Sequence, residues 1–244
     1  MRVGVINING NVGKSTVTNH MLYTRLGEGA EVIYVEGVND IPGKIDGMKS
    51  YDVEGFGEVQ EYLSTTYSHD VIVDFGANDA KQLMALFLQY EGAHHEFDMF
   101  VVPASPNSKH GDTAKTVKFL QSLGVPATNI RMLFTLVPIG ASIEKLFFDL
   151  IEYHNEEKSF FLDTRAVIYM SPLFERIKDT DLTFTSILDD ETDWKAKVIN
   201  ASENKEVNKE KIDYYGQRMT IKKLALGVKR DMDAAFKFLM SEGK

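Results

Sequence analysis

The sequence predicts an α/β protein, with a doubly wound, mostly parallel sheet followed by a helical C-terminal segment. Three observations lead there. Four short apolar runs lack strict alternation, as strands buried on both faces do. Helical stretches separate most of them, the arrangement that gives right-handed crossovers. The first run passes through a loop of small residues straight into Gly-Lys-Ser and a helix.

Taken in order, the runs at 3–8, 32–35, 71–75 and 99–102 are rich in β-branched or aromatic residues and bounded by Gly or polar residues. Two more strands are predicted at 130–137 and 166–170. Helices are predicted over 14–26, 57–66, 80–90 and 112–123, the last closed by Gly124 as a C-cap residue. In such a sheet ligands bind beyond the carboxyl ends of the strands. Past Pro172 the pattern changes. Residues 180–193 read as a polar connection with one apolar patch. A long helical segment is predicted over 205–240, with Gly216 and Gly227 as points where it would break. Ile221, Leu224, Ala225, Val228, Met232, Ala235, Phe236 and Leu239 recur at 3–4 spacing and would face a core. The predicted organisation is a nucleotide-binding core over 1–180 and a helical extension over 181–244 packed on the same domain.

The strongest chemical signal is the run GVININGNVGKST at 4–16. Small, turn-prone residues let backbone N–H groups curl around phosphate oxygens, and the following helix N-terminus adds partial positive charge. Asn9, Gly10, Asn11, Val12, Gly13, Lys14, Ser15 and Thr16 are therefore the candidate phosphate-binding residues. Lys14 would supply a full charge to the β- and γ-phosphates, and Ser15 a hydroxyl to Mg²⁺. The standard P-loop pattern places glycine at position 8, where this chain has Ile8. Asp74 ends the apolar run at 71–75 and is the candidate acid that holds Mg²⁺ beside Ser15; a turn-forming Asp after any strand is the plainer alternative. Glu36, after the second strand, is a third acid on the same edge, and a solvated strand-end Glu is its alternative.

Hydrophobic residues make up 43% of the 244-residue chain, enough for a sizeable core, and there is no cysteine for a disulfide or a thiolate metal site. The N-terminal apolar run is too short for a secretory signal, and no stretch approaches membrane-spanning length, so a cytoplasmic protein is expected. The net charge of −9 is uneven: residues 195–244 carry 12 Lys+Arg and 7 Asp+Glu, so the tail is +5 and the rest −14. The acidic body argues against nucleic-acid binding by the whole surface.

At these residues the chain resembles the ParA/MinD group of P-loop ATPases, and within it the StbB-type plasmid stability proteins. The matching stretches are GVININGNVGKST at 4–16, EVIYVEGVND at 31–40, DVIVDFGAND at 70–79, FDMFVVPASP at 97–106 and AVIYMSPLFE at 166–175. The resemblance implies a Mg²⁺-dependent ATP-binding protein that dimerises around nucleotide. It also implies a role in plasmid stability, partition or transfer, together with a DNA-bound partner protein. It assigns phosphate contacts to Gly10, Gly13, Lys14, Ser15 and Thr16, the Walker B role to Asp74 and the first acid of a second-strand motif to Glu36. Pro172 falls in the segment that passes near the adenine. Two departures bear on hydrolysis. Asn9 stands where such loops carry a second lysine, and Val38 where they carry a second acid, with Asn39 and Asp40 close by in sequence.

Other readings stay open beside this one. A non-hydrolysing nucleotide switch is compatible with both departures. A small-molecule kinase would need lid arginines, for which Arg165 and Arg176 are the candidates. A GTPase is disfavoured, because Phe134-Thr-Leu-Val-Pro138 lacks the Lys and Asp that read guanine. His94 and His95 have no third ligand at metal spacing. The acidic run Asp189, Asp190, Glu191, Asp193 reads as a cap on the helix from Trp194, with a cation site as the alternative. Lys223, Arg230 and Lys237 recur every seven residues, with Lys222 and Lys229 beside them. They form one stripe, either a solvated face or a weak, non-specific DNA contact.

Overall fold

In the computed structural model, which describes residues 1–26, 29–35, 48–178, 180–204 and 208–241, seven strands form one sheet. They are β1 (Arg2–Val5), β2 (Glu31–Val35), β3 (Lys49–Tyr51), β4 (Val71–Phe75), β5 (Met99–Ala104), β6 (Ile130–Val137) and β7 (Val167–Tyr169). Their order is β3-β2-β4-β1-β5-β6-β7, and every pairing is parallel. β1 and β4 are buried along their whole length, which is why both read as continuous apolar runs. The chain works outward from β1 to one edge and then, through β5, to the other, so the carboxyl end of β1 lies where the winding reverses.

Two strand ends differ from the sequence reading. β1 stops at Val5 rather than running on to residue 8: the Ile6 N–H still bonds the Val101 carbonyl of β5, but the N–H groups of Ile8 and Asn9 bond to side chains instead of a strand. β5 continues through Pro103, although a proline cannot donate to a ladder. The strand tolerates it because β1 no longer pairs there and the Pro103 carbonyl accepts from the Asn7 side chain. β3 was absent from the reading; three half-buried or exposed residues on a sheet edge carry no apolar signal.

The helices of the first unit are α1 (Lys14–Thr16), which continues as π-turns over Val17–Leu22, then α2 (Phe56–Thr65), α3 (Ala80–Gln89), α4 (His110–Ser122), α5 (Ile143–Leu146) and α6 (Phe148–Glu157). The Tyr23 N–H reaches back five residues to the Thr18 carbonyl at 3.0 Å, so the predicted helix over 14–26 is wider than an α-helix and ends sooner. After α4, Gly124 at φ 94° closes a Schellman motif, its N–H bonding Gln121 and that of Val125 bonding Leu120. The core on one side of the sheet is aromatic. Phe87 meets Phe56, Phe75 and Phe100 edge to face, and Phe97 packs against Phe75 and Phe100.

The chain divides into two compact units, 1–170 with 232–244, and 171–231. The second unit holds α7 (Leu173–Ile177), α8 (Phe184–Asp189), α9 (Trp194–Glu203) and most of α10 (Lys209–Leu239). α8 replaces part of the connection expected at 180–193. A Thr183–Ser186 capping box starts it, and the Lys222 ammonium ends it by bonding the carbonyls of Ile187, Leu188 and Asp190. Asp193 caps α9 as expected, accepting from the Ala196 N–H. Asp190 accepts from Thr192, Arg218 and Trp194, which hold its carboxyl well below the usual range. α10 runs unbroken for 31 residues through both Gly216 and Gly227. Of the apolar stripe, Leu224 and Phe236 are only half-buried; the other six are buried. The final turns of α10 belong to the first unit. There Asp233 pairs with Arg25 at 2.8 Å, and Arg131 donates to the carbonyls of Leu239 and Ser241.

Gly4 is the tightest point of the sheet: a Cβ there would lie 2.6 Å from the ring of Phe100, which is itself fully buried. Gly4→Ala is expected to destabilise the protein by about 1–3 kcal/mol through overpacking, read as a lowered urea midpoint at constant slope.

Candidate phosphate-binding site

The loop between β1 and α1 is held from three directions. Asn7 is almost fully buried and is the central clamp. Its Nδ2 donates to the Pro103 carbonyl at 2.7 Å and to Thr113 Oγ1 at 3.0 Å, and its Oδ1 accepts the Asn9 N–H at 2.9 Å. Ile8, which occupies the position of the missing glycine, donates its N–H to Thr116 Oγ1 at 3.2 Å. On the far side Thr135 at the end of β6 places its hydroxyl 2.7 Å from the Val12 carbonyl. Each buried amide left unpaired would cost about 1–3 kcal/mol, so these contacts fix the backbone path.

Between those anchors the loop is shaped for an anion. Asn11 has φ 56° and Gly13 has φ 77°, left-handed positions that turn the chain back on itself and open it toward solvent. Gly10 and Asn11 are exposed. Among the described residues, the N–H groups of Gly10, Asn11, Val12 and Gly13 have no protein acceptor. Gly13 leads into α1, where Lys14, Ser15 and Thr16 are half-buried. The Lys14 ammonium turns back to the carbonyls of Asn9 at 3.2 Å and Asn7 at 3.5 Å, within the loop it would serve.

Asp74 sits at the carboxyl end of β4, in register with Val5 of β1 and Tyr34 of β2, and is 3% exposed. Thr18, on the π-turns behind the loop, donates its hydroxyl to Asp74 Oδ2 at 3.0 Å. The next residue, Asn19, accepts from the Tyr34 hydroxyl. Burial first, and then the nearby Asp74 carboxylate, pushes the Tyr34 phenol up, so it remains a neutral donor. The wider π-turns thus carry two adjacent side chains that tie the loop's helix to β4 and β2.

The structure therefore brings residues 9–16 and Asp74 to one edge of the sheet. Glu36, Val38, Asn39 and Asp40 lie outside the described residues. Pro172 is the N-cap residue of α7 in the second unit. Asn9 does not extend into the mouth of the loop: its Nδ2 donates to the Lys109 carbonyl at 3.0 Å and to Thr113 Oγ1 at 3.2 Å. The residues that sequence reasoning missed are Asn7, Thr18, Thr113, Thr116 and Thr135. All five are buried, and neither residue type nor spacing sets them apart in the sequence.

No family profile and no curated protein matches the sequence. Solved structures do. The MinD cell division protein of Aquifex aeolicus is 15% identical, with 79% of this chain and 91% of that chain covered and a TM-score of 0.50. A Borrelia burgdorferi B31 protein described by a role in plasmid partition, bound to AMPPNP, is 14% identical over 90% of this chain and 97% of its own, with a TM-score of 0.47. A variant of Cyanothece McdA in complex with ATP is 11% identical, with 93% and 96% covered and a TM-score of 0.46. The fold is that of MinD, the ParA/MinD form of the P-loop fold, as the sequence resemblance implied.

His20, on the same π-turns, has its pKa lowered to about 4 by burial. Between pH 6.5 and 4 the unfolded chain binds a proton there that the folded chain refuses, so stability falls as pH drops through that window, by up to about 1.4 kcal/mol per pH unit. Urea titrations at pH 7, 6 and 5 are expected to show this loss, and His20→Gln to flatten it.

Proposed function

We propose that this chain is a ParA-like ATP-binding protein that uses Mg²⁺ and acts in plasmid stability, partition or transfer, in the manner of the StbB-type proteins its sequence resembles. The observation that carries the reading is the open backbone of residues 10–13, left-handed at Asn11 and Gly13, entering a helix at Lys14 with Asp74 on the neighbouring strand. The loop N–H groups and Lys14 would hold the phosphates, and the Ser15 hydroxyl and Asp74 would hold Mg²⁺. The metal would offset phosphate charge. Thr18 orients Asp74, and Thr135 and Asn7 keep the loop from collapsing.

On this reading turnover is slow. The amide of Asn9 carries no charge and is committed to α4, and this favours a nucleotide switch as the second reading. The kinase reading loses ground: Arg165 is paired with Asp163 at 2.7 Å and lies over the Phe238 ring. Output would come through a nucleotide-dependent homodimer and a DNA-bound partner protein, in the cytoplasm. Among the described residues no helix is long and apolar enough to cross a membrane.

A direct DNA contact would rest on fewer residues than the tail's charge suggests. Lys223, Arg230 and Lys237 are exposed on α10, but Lys222 is committed to the carbonyls at the end of α8, and Arg230 pairs with Asp231 at 2.9 Å.

Two outcomes test the proposal. Lys14→Ala is expected to weaken binding of a fluorescent ATP analogue at least about tenfold, the loss of one charge-assisted phosphate contact. Unchanged affinity would remove the basis for a phosphate loop. For DNA, weak binding in Mg·ATP is expected, with a salt slope of about −0.9 per neutralised phosphate and so no steeper than about −3. Changing Lys223, Arg230 and Lys237 together to Glu should eliminate it while leaving ATP affinity intact; a wild type that ignores DNA at low salt makes the stripe a solvated face.

A further inference from the structure

The mouth of the loop has Asp74 of β4 on one flank and, on the other, the turn at 105–109 that links β5 to α4. That turn is fixed. The Ser108 hydroxyl donates to the Ser105 carbonyl at 2.7 Å, and the Ser105 N–H donates to Ser108 Oγ at 3.3 Å. The His110 ring stacks on Phe147, with Nε2 3.3 Å from the Ser105 carbonyl. Its last residue, Lys109, is joined to the loop by the 3.0 Å bond from Asn9 Nδ2 to the Lys109 carbonyl. The Lys109 backbone is thereby held against residue 9, while its side chain is exposed. An extended lysine carries its ammonium about 6 Å from its Cα, enough to pass over a neighbouring segment of chain. The acid nearest in sequence, Asp112 in the first turn of α4, is drawn to Lys115 at 2.8 Å, a stronger influence on it than Lys109.

We infer that Lys109 is a second phosphate-binding cation of this site, supplied by the β5–α4 turn and held in place by Asn9 acting as a positioning residue. The inference rests on the reading of residues 9–16 as a nucleoside-triphosphate loop. A triphosphate concentrates several negative charges at the loop, and the Lys14 ammonium offsets one of them. A cation on this flank would meet the phosphate lying toward half-buried Asn9 and exposed Gly10.

The test is titration of fluorescent ATP and ADP analogues, with Mg²⁺, against the full chain and five variants: Lys109→Ala, Lys109→Arg, Asn9→Ala, the Asn9→Ala/Lys109→Ala pair, and Lys14→Ala. Lys109→Ala is expected to weaken ATP binding about three- to tenfold at low salt, to affect ADP less, and to reduce the salt dependence. Lys109→Arg should restore affinity, and the Asn9→Ala loss should fail to add to that of Lys109→Ala. Because the Lys109 side chain is exposed, urea midpoints should not move. Wild-type ATP affinity in Lys109→Ala, alongside a loss in Lys14→Ala, overturns the role of Lys109 and leaves the loop assignment standing. An equal loss in Lys109→Arg also overturns it, since charge would not be what matters. Wild-type affinity in Lys14→Ala removes the loop assignment itself, and the inference with it.

Discussion

Beyond Ile6, whose N–H still bonds the Val101 carbonyl of β5, the backbone carries donors and acceptors that no strand will pair, and the amide of Asn7 resolves this. One side chain bonds the Pro103 carbonyl, the Thr113 hydroxyl and the Asn9 N–H, and so takes over the work of the ladder at the point where β1 and β5 diverge. The geometry of the loop follows from that clamp. With residues 7–9 held against β5 and α4, and Val12 held by Thr135 from β6, the segment between must turn sharply, and it does so at Asn11 and Gly13. A loop fixed at both ends loses less conformational freedom on binding, which is how a short exposed segment can form a usable anion site.

Most of the sheet was legible because strands buried on both faces carry an unmistakable composition. β1, β2, β4, β5, β6 and β7 were all found, with errors confined to their ends. Those errors share a cause. Residues 6–8 look like more strand, and Pro103 looks like its end, because a run of residue types does not show whether a neighbouring strand is present to pair with. β3 escaped for the opposite reason: an edge strand of three residues needs no apolar face. In the tail, helical spacing was visible but continuity was not. Gly216 and Gly227 lower helix propensity by about 1 kcal/mol each, a penalty that burial along the apolar stripe outweighs.

The candidate site was legible in its outline and hidden in its support. Residues 9–16 and Asp74 were picked out by type and order, and the sheet brings them to one edge. The polar residues that make the site rigid gave no pattern, because they come from the loop after β1, from α4, from β6 and from the turns after α1, scattered over more than a hundred positions. Basic residues show the same limit. Lys222 belongs to the stripe by spacing, yet it neutralises the carboxyl end of α8 through three carbonyls, a short-range contact that sequence charge counting treats as solvated charge.

The π-turns after α1 tie the two halves of the site together. An α-helix places side chains 100° apart, so adjacent residues face different surroundings. In the wider turns over Val17–Leu22, Thr18 reaches Asp74 on β4, while Asn19 meets Tyr34 on β2. Both contacts are buried, and the Tyr34 phenol, held neutral by burial and by Asp74, stays a donor. Loop, helix and acid are thus one hydrogen-bonded assembly rather than two motifs that happen to be neighbours. A shift of α1 that accompanied anion binding at Lys14 would have to carry Thr18 with it, and Thr18 is bonded to the carboxylate at the centre of the sheet's carboxyl edge.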